Sequence, residues 1–402
     1  MASERTVILA YSGGLDTSFC VPYLKERGHD VVTLYVDTGG ASADERGAIE
    51  KRAKELGAVE HVTVDASREV WDDIVVPLVM GGQLYQDQYP LLVSDRYVIV
   101  KKALELARAR GTKLFAHGCT GMGNDQVRFD LSVRALGDYT ILAPIRDIQA
   151  DHANVREYER RFLETRGFSI PAAQKQYTIN ENLLGVTLSG SEIDDWKTPG
   201  EGTHRWVRRR AEWPTGKLRV KVGFDRGVAV RLDGAPIEGP SLVRALHEKL
   251  GAYGFGRGVY TGDTTIGLKG RIVFESPALL GLLLAHRALE EAVLTREQNA
   301  MKPLVARKWV ELVYKGFFYE PLKEDLEAYL RSSQRFVTGD VVLESEGGTV
   351  LAVEVDSENV LRAKGAVYAQ SADWGAREAE GFIRLLGQSS ELFARLHPPH
   401  QS

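Results

Sequence analysis

The chain has 402 residues, enough for two or three domains at about 150 residues each, which excludes a peptide or a minimal scaffold. With 44% apolar and 26% charged residues it has the composition of an ordinary globular protein, which excludes global disorder. A net charge of −4 gives no overall reason to expect a nucleic acid partner, and only two cysteines, Cys20 and Cys119, with no Cys-x-x-Cys spacing, argue against a disulfide framework and for a reducing cytoplasm. The opening residues lack the pattern of a secretory leader, and the longest apolar run, 278–285, falls short of the ~18 residues a spanning helix needs, so no membrane segment is expected.

Residues 6–10, a continuous apolar run, predict a strand buried on both faces. Further strands are predicted at 31–36, 59–64, 113–116 and 140–142, with helices at 16–27, 44–56 and 96–110 between them. That alternation predicts an α/β fold built on an open parallel sheet. A charged helix over 151–166 runs into Gly167 and Pro171, which place a domain boundary near 168. Residues 215–275 read as alternating strands with glycine-rich turns, and more strands are expected at 336–355, so a second, α+β domain is assigned to 169–355. Residues 356–402 form a tail with a helix at about 374–396, of the kind that docks on a neighbouring subunit.

Between the first strand and first helix lies Ala10-Tyr11-Ser12-Gly13-Gly14-Leu15-Asp16-Thr17-Ser18. Adjacent glycines allow a tight turn whose N–H groups converge on an anion, the hydroxyls add donors, and the helix that follows presents its positive end. A plain turn with Asp16 or Thr17 as the helix cap is the alternative. The loop lacks the lysine of the common nucleotide loop and is no GxGxxG either. It resembles the loop of enzymes that split ATP into AMP and pyrophosphate. A second dense loop, from His117-Gly118-Cys119-Thr120 to Gly123-Asn124-Asp125-Gln126-Val127-Arg128-Phe129, follows another strand, so both would lie at the carboxyl ends of the sheet where such folds bind ligands.

The two loops together resemble the argininosuccinate synthase family, and the run Glu311-Leu312-Val313-Tyr314-Lys315-Gly316-Phe317-Phe318-Tyr319-Glu320 is similar to a late signature of that family. The resemblance implies an N-terminal sheet of the adenine nucleotide alpha hydrolase type, a homotetramer, and a ligase using ATP with Mg2+. Citrulline's ureido oxygen would be adenylated with loss of pyrophosphate, and the amine of aspartate would then displace AMP. By the same resemblance Ala10 to Ser18, Val36 and Gly118 would hold ATP; Thr120, Asn124 and Asp125 would hold aspartate; and Tyr89, Ser94, Asn124, Arg128, Thr178 and Thr187 would hold the acceptor. Asp16, Asp125 and Arg128 are the expected catalytic residues, with Asp125 the candidate general base and Arg128 the partner for a carboxylate. No built-in metal site is expected, so magnesium would arrive with the nucleotide.

The acceptor side departs from that pattern. Thr178 and Thr187 stand where serines are usual, Gly262 where a glutamate is expected, Phe274 for a tyrosine, Met122 for a lysine, Ile145 for a tryptophan and Tyr97 for an arginine. Asp263 is one position along from the lost carboxylate, and a one-residue offset in a strand turns a side chain to the opposite face. A site stripped of hydrogen-bonding partners recognises its substrate poorly, so a relative joining aspartate to another ureido or amide compound remains an alternative, beside a tRNA-modifying enzyme of the same loop class or a non-catalytic protein. The one basic run with aromatics, His204 to Trp213, has the texture of a single-strand binding surface but reads as a solvated face, so nucleic acid is not expected as a partner.

Overall fold

The structure, a computed structural model, describes residues 5–152, 154–170, 177–362, 367, 368 and 370–398. Strand β1 (Thr6–Ala10) is buried over four of its five residues, as a strand covered on both faces must be. It is followed by α1 (Leu15–Glu26), β2 (Asp30–Asp37), α2 (Ala43–Glu55) and β3 (Glu60–Asp65). Then come α3 (Ser67–Val70), a π turn at Trp71–Val75, α4 (Val76–Gly81), α5 (Asp95–Ala109), β4 (Leu114–Ala116), α6 (Asn124–Leu136), β5 (Thr140–Leu142), α7 (Pro144–Gln149) and α8 (Val155–Glu164). The five strands form one parallel sheet in the order β3-β2-β1-β4-β5. The chain winds to one side of β1 and then crosses to the other, so the switch in winding falls between β1 and β4. A crevice opens at the carboxyl ends of strands at such a point. The two glycine-rich loops leave β1 and β4, and topology therefore delivers both to that crevice.

After α8, β6 (Thr178–Asn182) and β7 (Gly185–Ser189) form a hairpin. The chain continues through β8 (Leu218–Asp225), β9 (Val228–Leu232), β10 (Ala235–Pro236), α9 (Gly239–Ala252), β11 (Arg257–Asp263) and β12 (Lys269–Glu275). Helices α10 (Pro277–Val293), α11 (Arg296–Lys315) and α12 (Pro321–Ser333) precede β13 (Gly339–Gly347) and β14 (Thr349–Asp356). Two antiparallel sheets result, β11-β12-β7-β6 and β10-β9-β8-β13-β14. The stretch expected to hold only strands and turns therefore contains a helix, α9. Pro240 fits its first turn, where no N–H is needed, and Leu242, Val243, Leu246 and Leu250 recur at helical spacing on its buried face.

The basic run from His204 is folded onto this part of the molecule. Glu275 is completely buried, and its Oε2 accepts the backbone N–H groups of Arg205, Trp206 and Val207 at 3.1, 2.6 and 3.0 Å while Oε1 accepts from Arg257 at 2.6 Å. A buried carboxylate is tolerated because four donors, one of them a guanidinium, surround it.

Residues up to 359 form one compact unit and those from 360 a second. The second contains α13 (Ala376–Leu396), a 21-residue helix on which Phe382, Leu385, Leu386, Leu392, Phe393 and Leu396 are exposed. Among the described residues no helix is long and apolar enough to cross a membrane.

Candidate active site

Residue Gly14 is the N-cap of α1, extended at φ −70° and ψ 173°, and no side chain caps the helix. Asp16 and Thr17 lie inside the first turn and do not serve as caps, so the plain-turn alternative fails. Instead Ser12 and Thr17 tie the loop to itself: the Ser12 N–H donates to Thr17 Oγ1 at 3.3 Å, and Ser18 Oγ donates to the Gly13 carbonyl at 3.4 Å. Gly13 has φ +76°, a conformation L side chains avoid, and a Cβ there would press on Ile49 at 3.1 Å. The uncapped first-turn N–H groups of α1 thus face the crevice without an internal acceptor.

The second loop is held by its own polar groups. His117, buried after β4, accepts the Cys119 N–H on Nδ1 at 3.1 Å, which leaves Nε2–H to donate to Asp130 at 3.0 Å. Burial would raise the Asp130 carboxyl, but His117 and Arg146 hold it below the ordinary range. Gly121 N–H donates to Gln149 at 2.8 Å and its carbonyl accepts from Gln126 at 2.5 Å. The two loops meet at Gly118: a Cβ there would lie 3.1 Å from the Thr17 methyl and 3.3 Å from the backbone of Asp16. His117 and the glycines therefore have structural work, while Thr120, Asn124 and Asp125 reach the same crevice from α6 and its approach.

Asp125 lies between two guanidinium groups, 3.1 Å from Arg96 Nε and 2.7 Å from Arg128 Nη1. Burial would raise its carboxyl, yet the two arginines hold it below the ordinary range. Arg96 also bonds Asp95 and Asn180, both at 2.8 Å. Arg128 directs Nε and Nη2 to the carbonyl of Tyr314, at 3.2 and 2.9 Å. The structure thus gives Arg128 partners from the chain itself, where the sequence suggested a substrate carboxylate. Tyr97, where the resemblance leads one to expect an arginine, is fully buried and stacked on Phe318, while Arg96 beside it reaches Asp125. Asn124 is engaged on both sides, its amide donating to the Tyr314 hydroxyl at 3.3 Å and its oxygen accepting from Thr265 N–H at 2.9 Å.

Residues 6–164 match the family model described as the arginosuccinate synthase N-terminal HUP domain, and residues 177–393 match the one for the arginosuccinate synthase C-terminal domain. The chain is 61% identical to argininosuccinate synthase of Xanthomonas campestris over 395 residues, which cover 98% of this chain and all of the relative. It is 36% identical to argininosuccinate synthase of Methanocaldococcus jannaschii, over 97% of this chain and 98% of that one. The chain belongs to the argininosuccinate synthase family. Membership makes it an ATP-dependent ligase that forms a carbon–nitrogen bond, with AMP and pyrophosphate as products. A solved structure of a predicted tRNA methyltransferase subunit from Methanocaldococcus jannaschii overlaps 41% of the chain at a TM-score of 0.27 and 16% identity, too slight a likeness to bear on fold or function.

Several of the residues expected on the acceptor side lie on one face of the β11-β12-β7-β6 sheet. Thr178 and Asn180 on β6, Thr187 on β7, Phe274 on β12 and Tyr260 on β11 share that face by register, since Asn180 pairs with Thr187 and Thr187 with Phe274. Thr187 and Ser94 are buried, whereas Thr178 is exposed and its hydroxyl accepts from Arg156 at 3.0 Å, at the rim. Tyr89 is buried among Tyr260, Phe274 and Tyr314, with ring centroids 5.2, 6.0 and 6.1 Å away.

The space at Gly262 is filled: a Cβ there would overlap Gln86 Oε1 and the Tyr260 hydroxyl. Tyr260 donates to Gln86 Oε1 at 2.8 Å, and Gln86 Nε2 donates to Asp263 Oδ2 at 2.9 Å. Polar groups of Gln86, Tyr260 and Asp263 therefore gather beside position 262. Asp263 takes part despite the one-residue offset because it ends its strand and reaches the network through Gln86. Tyr314, whose hydroxyl donates to the Asp263 carbonyl at 3.1 Å and whose ring stacks on Tyr85 at 3.6 Å, joins this network to Asn124.

Arg96, Gln86, Tyr260 and Tyr314 are the residues that sequence reasoning left out. Only Tyr314, inside the late signature, carried a signal.

Proposed function

We infer that the chain makes argininosuccinate: the ureido oxygen of citrulline attacks the α-phosphate of ATP, pyrophosphate leaves, and the amine of aspartate displaces AMP. The observation that carries this reading is the meeting of the two loops at Gly118, where a nucleotide held by the uncapped turn of α1 lies beside the α6 groups Thr120, Asn124 and Asp125. Ala10 to Ser18, Val36 and Gly118 bind ATP. The charge that builds on the departing pyrophosphate falls where backbone N–H groups already point, so no dipole has to reorganise. Thr120, Asn124 and Asp125 hold aspartate. Tyr89, Ser94, Asn124, Thr187 and, at the rim, Thr178 hold citrulline, while Arg128 orients Asp125 and the Tyr314 segment.

Asp125 is held ionised by Arg96 and Arg128, so it serves better as an anchor for an ammonium group than as a base. Holding both reactants in register supplies several kcal/mol of the barrier. Gln86, Tyr260 and Asp263 take the place of the absent glutamate toward the amino-acid end of citrulline. Magnesium would arrive with the nucleotide, since phosphate oxygens are the hard ligands it prefers. When bound it neutralises phosphate charge. The exposed apolar side of α13 supports assembly into a homotetramer in the cytoplasm.

The test is pyrophosphate release from ATP with aspartate, with and without citrulline, and mass spectrometry for argininosuccinate. Citrulline-dependent release with that product is expected. Release only with a different ureido or amide compound would overturn the choice of acceptor.

A further inference from the structure

Beside the nucleotide loop, α8 packs against α1 and brings Glu159 up to Asp16 in the first helical turn. Glu159 is completely buried on a helix whose neighbouring residues are largely polar and outward. Both its carboxyl oxygens are sealed from water and, among the described residues, no N–H or hydroxyl reaches either one. What faces them is the carboxyl of Asp16. Two carboxylates in that position have only lone pairs to offer each other. One carboxylic acid and one carboxylate share a hydrogen bond, and the apparent vacancy disappears.

We propose that Glu159 is a positioning residue for the nucleotide loop: its carboxyl carries a proton, donates it to the Asp16 carboxylate, and so limits the first turn of α1 to one negative charge where the polyphosphate docks. The inference rests on the reading of residues 10–18 as the ATP site. Two cations near the pair, Arg156 and Arg160, oppose protonation, but burial and the Asp16 charge outweigh them. Both lie on α8; Arg156 is exposed and bonded to Thr178, and the buried Nε of Arg160 has no acceptor. Cys20 on α1 and Cys119 in the second loop are thiols that burial pushes up and keeps neutral, and Asp147 on α7 acts on Cys20 behind the pair. Burial and the Asp16 charge push the Glu159 carboxyl up to about 9, and burial also raises Asp16. Loss of the shared proton adds a second negative charge beside an anionic ligand, so nucleotide binding weakens as the pair ionises.

The experiment is calorimetric titration of the full chain with ATP between pH 7.5 and 9.5, for the wild type and Glu159→Gln. The amide keeps the N–H donor toward Asp16 and cannot ionise. Wild-type affinity is expected to fall about threefold by pH 9.5, the part of a tenfold effect that a one-unit rise in pKa on binding produces at that pH from a free value of about 9, while the variant is expected to show no fall. Equal pH dependence in both proteins would overturn the proposal. Glu159→Ala is expected to bind ATP weakly at every pH, and Gln, not Ala, to restore it. Should the variants fail to fold, the 13C carboxyl resonance of Glu159 in the wild type decides: a protonated shift at pH 7.5 supports the shared proton and an ionised one refutes it. Absence of ATP binding by the wild type at all pH values would instead refute the loop as a nucleotide site.

Discussion

Asp125 and Glu159 are acidic groups close to the two glycine-rich loops, and their surroundings drive them in opposite directions. Arg96 and Arg128 supply two hydrogen-bonded positive charges to Asp125, which outweigh its burial and keep it ionised. Glu159 faces another carboxyl, and Arg156 and Arg160 near it make no hydrogen bond to its oxygens, so burial prevails. The consequence for stability has a definite sign. The folded chain keeps a proton on Glu159 that the unfolded chain releases above its ordinary value near 4.5, so stability falls as pH rises from there toward about 9. Glu159→Gln removes that fall. We expect equal unfolding free energies for wild type and variant at pH 4, and an advantage for the variant on the order of 2 kcal/mol by pH 8.5, measured by urea denaturation across pH. A constant offset at all pH values would contradict a shared proton.

Helix ends differ according to what they are for. Helices α2 and α11 begin with capping boxes, Ser42 with Glu45 and Thr295 with Gln298, while α1 begins at Gly14 with no side chain capping it. The missing cap leaves donors free for phosphate. Because Gly14 has extended φ and ψ and room for a Cβ, Gly14→Asp is sterically allowed and installs a cap. The expected result is a gain of a few tenths of a kcal/mol in stability with at least a tenfold loss of ATP affinity, read by thermal unfolding and calorimetry. Elements of this N-terminal sheet were readable to within about a residue, since buried parallel strands are unbroken apolar runs and each βα unit is local in sequence. Helix α9 was not: its Gly-Pro start and closing Gly251-Ala252 look like turn residues, and its packing against β9 and α10 is non-local. The site shows the same division. Gly13, Gly14, Gly118 and Asn124 belong to contiguous motifs, whereas the convergence of Arg96, Gln86, Tyr260 and Tyr314 joins four segments that only the folded chain brings together.

At the scale of the whole molecule, the second compact unit raises a separate question of solubility. Phe382, Leu385 and Leu386, and then Leu392, Phe393 and Leu396, form two clusters with 385/392 and 386/393 seven residues apart along α13, the spacing of a helix face made to be covered. Deleting residues 375–402 is therefore expected to lower the assembled mass from tetramer to smaller species, as measured by light scattering, with an unchanged circular dichroism signature for the remainder. A truncated chain that keeps the full assembled mass would remove α13 from the account. Gly262 has a consequence of yet another kind. Its missing Cβ is a precondition for Tyr260 and Gln86 to occupy that space, and Gln86 itself sits at φ +51° to do so. Restoring a glutamate at 262 alone would collide with both, and changing either of them alone would leave a hole with unpaired polar atoms. Any side chain at 262 therefore displaces the ends of both neighbours, so the size of that one residue decides whether Tyr260 and Gln86 can meet there.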